Sequence, residues 1–370
     1  MKKVLLATTA IFGAALFSQA ALANNIQVTT GGHLEFTAGV FDADTTDSSD
    51  RDFQTEAQIF VRADAKADNG LEYGAHIEFE NEEDTVGAGG GDMIALHKGY
   101  LWLAGSWGKV EMGDERGPSH KLAVGAPTVQ GYGQIDWMKD DGASYIDYLF
   151  AGTVGVHAVD NVNATKIAYY TPNFSGFQAG IAYTPELDEG QNVVTSETTT
   201  ATNFYEDWIE VAANYTYDFG NWGLKIGGSV ATADAKDGSG IEDFTAWGLG
   251  AQVSLGGFTV GGGYVDNDEF NVADGADDDA NGWNLGLTYE TGPLAVGVSW
   301  LSADEGANIF GDTMEDYDAF GAGMTYAVAP GLVAQADLMF VNADDVTRAG
   351  AGTTDDEDGW VFMLGTRMTF

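Results

Sequence analysis

The sequence predicts an all-β fold, a transmembrane up-and-down antiparallel β-barrel of 16 strands, on three observations. Hairpin-like units repeat along the chain, short turns alternate with long acidic loops, and each strand-like run sorts its residues into an apolar and a polar face. The repeat is clearest near the end. "WGLGAQVSLGGFTVGGGY" from Trp247, "WNLGLTYETGPLAVGVSW" from Trp283 and "FGAGMTYAVAPGLVAQADLMF" from Phe320 share one plan: an aromatic start, alternation, a tight Gly or Pro turn, then alternation again. With Trp360, these starts recur after 36, 37 and 40 residues.

Taken in order, the chain opens with a basic Met1-Lys2-Lys3, an apolar run from Val4 to Phe17 that is short for a bilayer span, and a small-x-small site at Ala21-Leu22-Ala23. Residues 1–23 are expected to be a cleaved secretory signal, and 24–370 a single barrel domain. Cleavage would leave 347 residues and, with Lys2 and Lys3 gone, move the formal charge from −42 to −44. Such acidity excludes a nucleic-acid partner, which needs basic groups to displace counterions from phosphates. With no cysteine there is no disulfide framework and no thiolate metal site. A content of 44% hydrophobic residues and 51 glycines excludes a disordered polyelectrolyte, and after the signal no apolar run reaches the length of a helical span.

Carried back along the chain, the hairpin template places short turns near Asp68–Gly70, Ser106–Gly108, Asn173–Gly176, Asp218–Gly223, Gly256–Gly257, Thr291–Pro293 and Val328–Gly331. Long loops fall between them, near Asp42–Arg51, Asn81–Asp92, Asp114–Asn163, Thr184–Glu206, Thr232–Asp243, Asp266–Asn281, Ser302–Tyr317 and Asn342–Asp358. These 15 connections join 16 strands, with every short connection at one end of the barrel and every long one at the other.

The faces sort as a lipid-exposed barrel requires. "LEYGAHIEFE" sets Leu71, Tyr73, Ala75, Ile77 and Phe79 against Glu72, His76, Glu78 and Glu80. A half-buried strand of a soluble sheet would alternate in the same way, so the weight rests on the whole set. Each Lys and Arg after the signal falls in a loop (Arg51, Arg116, Lys121, Lys139, Lys236, Arg348) or on a polar face (Arg62, Lys66, Lys98, Lys109, Lys166, Lys225, Arg367). A cation on the lipid face at mid-bilayer costs about 2–4 kcal/mol. Trp247, Trp283, Phe320 and Trp360 line up at the loop ends, and Tyr217, Tyr289 and Tyr326 at the turn ends, as two interfacial girdles. The last run, "GWVFMLGTRMTF", alternates to its final residue, which sets Phe370 in the apolar register.

With this layout on the page, the sequence resembles the general diffusion porins of Gram-negative outer membranes, most closely the acidic alphaproteobacterial type. Three stretches carry the resemblance besides the layout. "GYLWLAGSWGKVEMGDERG" is similar to the porin fourth and fifth strands and the approach to the constriction loop, "YYTPNFSGFQAGIAY" to the sixth-to-seventh strand hairpin, and Phe370 to the terminal aromatic read by the outer-membrane barrel assembly machinery. The resemblance implies a homotrimer set among outer-membrane lipid and lipopolysaccharide. It also implies that the long segment 114–163 folds inward and narrows the pore. Asp136, Asp140, Asp141 and Asp147 are then candidate constriction acids, facing Arg62, Lys98, Lys109, Lys166 or Arg367 on the wall. For a chain this acidic, a cation-preferring, water-filled channel for passive diffusion of small solutes is the expectation.

Catalytic signatures are missing from the sequence: no Gly-x-Ser-x-Gly, no His-Glu-x-x-His and no Gly-Lys-Ser/Thr phosphate loop. The histidines His33, His76, His97, His120 and His157 show no metal-ligand spacing. No cofactor is required. Acidic loops such as "DNDEFNVADGADDDAN" are expected to stay hydrated, with bound calcium as the alternative. Two other function classes stay open at this point, an outer-membrane barrel enzyme of lipase or protease type and a structural or adhesive surface protein. Within transport, a substrate-specific barrel of about eighteen strands stays open too.

Overall fold

The structure, a computed structural model, describes residues 26–43, 51–82, 93–129, 163–186, 204–269, 272–273, 279–305, 314–347 and 354–370. Sixteen strands follow in order. They are β1 (Gln27–Ala43), β2 (Arg51–Lys66), β3 (Glu72–Glu82), β4 (Met93–Gly105), β5 (Gly108–Asp114), β6 (Thr165–Tyr170), β7 (Phe177–Glu186) and β8 (Tyr205–Asp218). The second half is β9 (Trp222–Ala235), β10 (Phe244–Leu255), β11 (Phe258–Asp268), β12 (Asp279–Thr291), β13 (Leu294–Glu305), β14 (Met314–Ala329), β15 (Leu332–Thr347) and β16 (Thr354–Thr369). One short helix, α1 (Pro118–Lys121), interrupts them.

Each strand pairs antiparallel with its neighbours in sequence, and β1 pairs with β16, so the sheet closes on itself. Closure leaves no open row of backbone donors and acceptors, the condition for crossing a hydrocarbon layer with strands. Among the described residues no helix is long and apolar enough to cross a membrane. The final residue belongs to the seam. Phe370 donates its N–H to the Gly32 carbonyl and accepts from the Gly32 N–H, both at 3.0 Å, while its ring stands 60% exposed beside Met368 on the outer face.

Turn chemistry fixes the register. At the β10–β11 hairpin, Gly256 and Gly257 both have positive φ, 58° and 86°, the two-residue geometry whose twist matches the flanking strands. The seven short connections fall where the sequence places them. The strands, however, run further into the long connections than the sequence suggests: β9 continues to Ala235, β15 to Thr347, and β16 begins at Thr354. Polar, acidic residues there still exchange backbone hydrogen bonds across the ladder, because strand pairing outlasts the apolar band that sequence patterning detects.

Apolar side chains face outward. Leu34, Ile59, Leu101, Leu249, Val298 and Leu364 are all exposed on that side, as expected where lipid is the solvent. The girdles form as well. Trp300, Phe320, Phe340 and Trp360 are successive cross-strand partners at the loop end, and Phe258 packs against Tyr289 at the turn end, the rings tilted by 33° with centroids 4.3 Å apart. Arg51 is a correction to the sequence reading. It opens β2 opposite Val40, in the outward register of Phe53, and does not lie in a loop. At that end of the strand the cost of an outward cation falls to about 0–1 kcal/mol.

Inside the barrel, one apolar cluster gathers at the loop end of β8–β10. Tyr205 and Trp208 meet Phe244 edge-on at 4.9 and 4.6 Å. A register shift between Glu206 and Ile209, with Asp207 at φ 52°, turns both β8 aromatics inward.

Candidate functional site

The lumen has two unlike walls. On β16 and β1–β6 the inward positions carry charge. Lys98 lies 2.9 Å from Glu78, Lys109 lies 2.7 Å from Glu111, and Arg367 sits 3.6 Å from Glu35 and 3.0 Å from His33 Nδ1. The His33 Nε2 in turn meets Glu56 at 2.5 Å. Lys166 is buried and donates to the Glu115 carbonyl. A bulge at His97 shifts the β3–β4 register, so that two consecutive residues find carboxylates on the same side: His97 with Glu80 at 2.7 Å and Lys98 with Glu78. Arg62 also occupies an inward position, opposite His76, and is exposed.

These are the five wall cations that the sequence singles out, and the fold brings them to one side of the lumen. Three of them lie against a carboxylate of their own wall, and Lys166 against the Glu115 carbonyl at the start of the segment that follows β5. Asp136, Asp140, Asp141 and Asp147, the candidate constriction acids, lie outside the described residues. The acidic loop from Asp266 is described only in part, and among the described residues no group of three or more acids and histidines is placed to hold a metal ion.

The opposite wall, β7–β12, carries the segment that follows β5. Residues 115–129 leave the end of β5 and run along the inside of the barrel across consecutive strands. The inward course that the resemblance implies for the long loop therefore holds for its described beginning. Lys121 fastens the start of this course. Its ammonium donates to Glu111 Oε2 at 2.5 Å and lies 5.5 Å from the ring centres of both Tyr100 and Tyr170. On β8, the fully buried Glu210 accepts from the Ser119 N–H at 3.1 Å and from the Ser119 hydroxyl. A charged acceptor satisfies helix-start donors that would otherwise be buried unpaired. Further along, Gln252 of β10 donates to the Gly125 carbonyl at 2.9 Å, and Asn284 Oδ1 of β12 accepts from the Ala126 N–H at 2.7 Å.

A closed barrel of this strand number, with a chain segment laid against the inside of its wall, is the geometry of a restricted pore, and the sequence agrees. Residues 7–346 match the family model described as Gram-negative porin. The chain belongs to the Gram-negative porin family. It is 26% identical over 296 residues to a porin of Rhodobacter capsulatus, covering 76% of this chain and 85% of that one. An uncharacterized protein of Rickettsia prowazekii is 21% identical over 466 residues, spanning 100% of both chains. Among solved structures, the anion-selective porin from Comamonas acidovorans superposes with a TM-score of 0.59 at 20% identity, covering 93% of this chain and 100% of that one. The outer membrane protein OmpT of Vibrio cholerae, in its trimer form, gives 0.62 at 14% identity, covering 94% and 100%. These structural likenesses establish the fold. As a Gram-negative porin the chain is an outer-membrane protein, and both family and fold are those of a non-enzymatic channel.

Several positioning residues of this porin escape sequence reasoning. Glu210, Gln252 and Asn284 read only as polar-face residues of alternating strands. The sole available signal is glycine recurring in that same register, at Gly227, Gly250, Gly263 and Gly286.

Proposed function

We propose that this porin is a water-filled channel for passive diffusion of small hydrophilic solutes and ions, that it favours cations, and that it works as a homotrimer. In this reading residues 1–23 are a cleaved signal, 24–370 form the barrel, and 114–163 form the constriction loop. Asp136, Asp140, Asp141 and Asp147 contribute negative charge at the narrow section. The observation that carries the cation preference is the pairing on the charged wall. Lys98, Lys109 and Arg367 each lie within 4 Å of a carboxylate of that wall, at 2.9, 2.7 and 3.6 Å. A cation so neutralised does little to attract anions. The excess of 57 acids over the 13 Lys and Arg left once Lys2 and Lys3 are removed (15 − 2) then governs the potential at the mouth and in the bore. Arg62 opposes this locally. The fold by itself does not decide the sign, since an anion-selective porin shares it.

Homotrimer assembly draws support from the solved trimer form of the Vibrio cholerae protein and from the family. Phe370, outward at the seam, is the proposed signal for the barrel assembly machinery. Purified protein added to planar bilayers is expected to produce stepwise conductance, and liposomes containing it to swell in small sugars and amino acids alike. Absence of steps would overturn the channel reading. Block of conductance by one solute at saturating concentration would replace it with a substrate-specific pore.

A further inference from the structure

We infer that the bore of this channel is set by its wall as well as by the loop: glycines in the lumen-facing register of β9, β10 and β12 form a seat that fixes the height of residues 122–127. The consequence for permeation rests on the channel reading, whereas the seat itself does not. Gly227, Gly250 and Gly263 are direct cross-strand partners, and the row continues to Asn284. Gly286 stands two residues further along β12 on the same face.

The spaces these glycines leave are filled by the backbone of the segment. A Cβ added at Gly250 would lie 1.6 Å from the Val124 carbonyl oxygen and 2.6 Å from its carbon. At Gly227 it would meet Val124 Cγ2 at 2.7 Å and the Leu122 oxygen at 2.8 Å, and at Gly286 the Pro127 oxygen at 2.5 Å. Backbone atoms cannot rotate out of the way as a side chain can. None of the three has a positive φ, so conformation does not demand glycine there; the seated segment does. Glycine weakens a strand interior and often marks the close approach of another backbone. Gly223 supplies the contrast. It is on the same face of β9, and its added Cβ would have nothing nearer than 3.7 Å.

The polar anchors agree with this placement. Gln252, two residues from Gly250 on β10, and Asn284, at the end of the row, hold Gly125 and Ala126 by hydrogen bonds of 2.9 and 2.7 Å. A methyl group at position 250 must lift Val124 away from its own wall, by roughly 2 Å, to reach ordinary contact distance.

Two experiments test the seat. Gly250→Ala is expected to lower single-channel conductance to about half of the parent value or less, with Gly223→Ala unchanged; equal conductance in the parent and Gly250→Ala overturns the inference. Independently, the chain has no cysteine, so the double substitution Gly286→Cys and Ala126→Cys reports one contact only. The added Cβ at 286 lies 3.1 Å from Ala126 Cβ and 2.5 Å from the Pro127 oxygen; a lift of roughly 0.7 Å relieves the second contact and brings the first into the usual disulfide range of about 3.5–4.5 Å. Oxidation of the folded barrel is expected to cross-link the pair nearly completely, and cross-linking is expected to fall when Gly250→Ala is added. A folded barrel that does not cross-link overturns the seat. A barrel that cross-links but never conducts upholds the seat and defeats the channel reading instead.

Discussion

The wall of β16 and β1–β6 and the wall of β7–β12 share one pleat and one alternation, yet their inward positions hold opposite kinds of residue. The first presents Glu35, Glu78, Lys98, Glu111 and Arg367, locked into pairs. The second presents Gly227, Gly250 and Gly286 and is covered by residues 122–127. Period two decides which side of a strand faces water. It says nothing about whether that side must touch solvent, a counter-charge or another backbone. On the proposed reading, one wall tunes the field in the pore and the other sets its width.

The comparison breaks most sharply at Glu111, which joins the two walls. Its carboxylate holds Lys109 at 2.7 Å and Lys121, at the start of the seated segment, at 2.5 Å. Glu111→Gln leaves two neighbouring ammonium groups without their shared anion. The expected result is a reversal potential shifted clearly toward anions, together with a stability loss on the order of 2 kcal/mol, since hydrogen bonds to charged groups contribute about that much. Bilayer recording and thermal unfolding of the purified barrel measure the two effects.

Glu78→Gln acts on the charged wall alone. It removes the carboxylate that lies 2.9 Å from Lys98 and leaves the seat untouched. Selectivity should shift the same way but less, with single-channel conductance close to the parent value. A conductance change as large as that of Gly250→Ala would mean that the charged wall also sets the width, and the division of tasks would fail.

Asp337→Asn should have the smallest effect on permeation. Asp337 is 2% exposed and neither of its oxygens has a hydrogen-bond partner among the described residues. Replacing this buried, unpartnered carboxyl by an amide that never ionises is expected to raise the unfolding temperature, by up to about 1–3 kcal/mol of stability, with reversal potential unchanged. A lower unfolding temperature would show that this carboxylate is satisfied by a partner.

The barrel was legible because its causes are local. Alternation sorts the faces, Gly256–Gly257 forces a hairpin, and apolar residues up to Phe370 demand a lipid-facing strand to the end. The ends of the strands were less legible, since β15 and β16 stay paired through acidic residues that pattern reading assigns to loops. Wall cations could be placed on a face, but their partners could not be chosen: Lys98 meets Glu78 across a bulge at His97 that sequence does not reveal. Inward aromatics such as Trp208 follow a similar register shift. The seat is a long-range match between strands and a segment more than a hundred residues away, so its glycines looked like ordinary polar-face positions.

The most direct measurement is the reversal potential of the unmodified channel in a potassium chloride gradient, taken at low and at molar salt. The paired wall and the acid excess require a cation-selective sign at low salt. At molar salt the Debye length falls to about 3 Å, so distant loop charges drop out and a smaller preference of the same sign should remain from the bore. An anion-selective reversal potential at low salt would contradict the account.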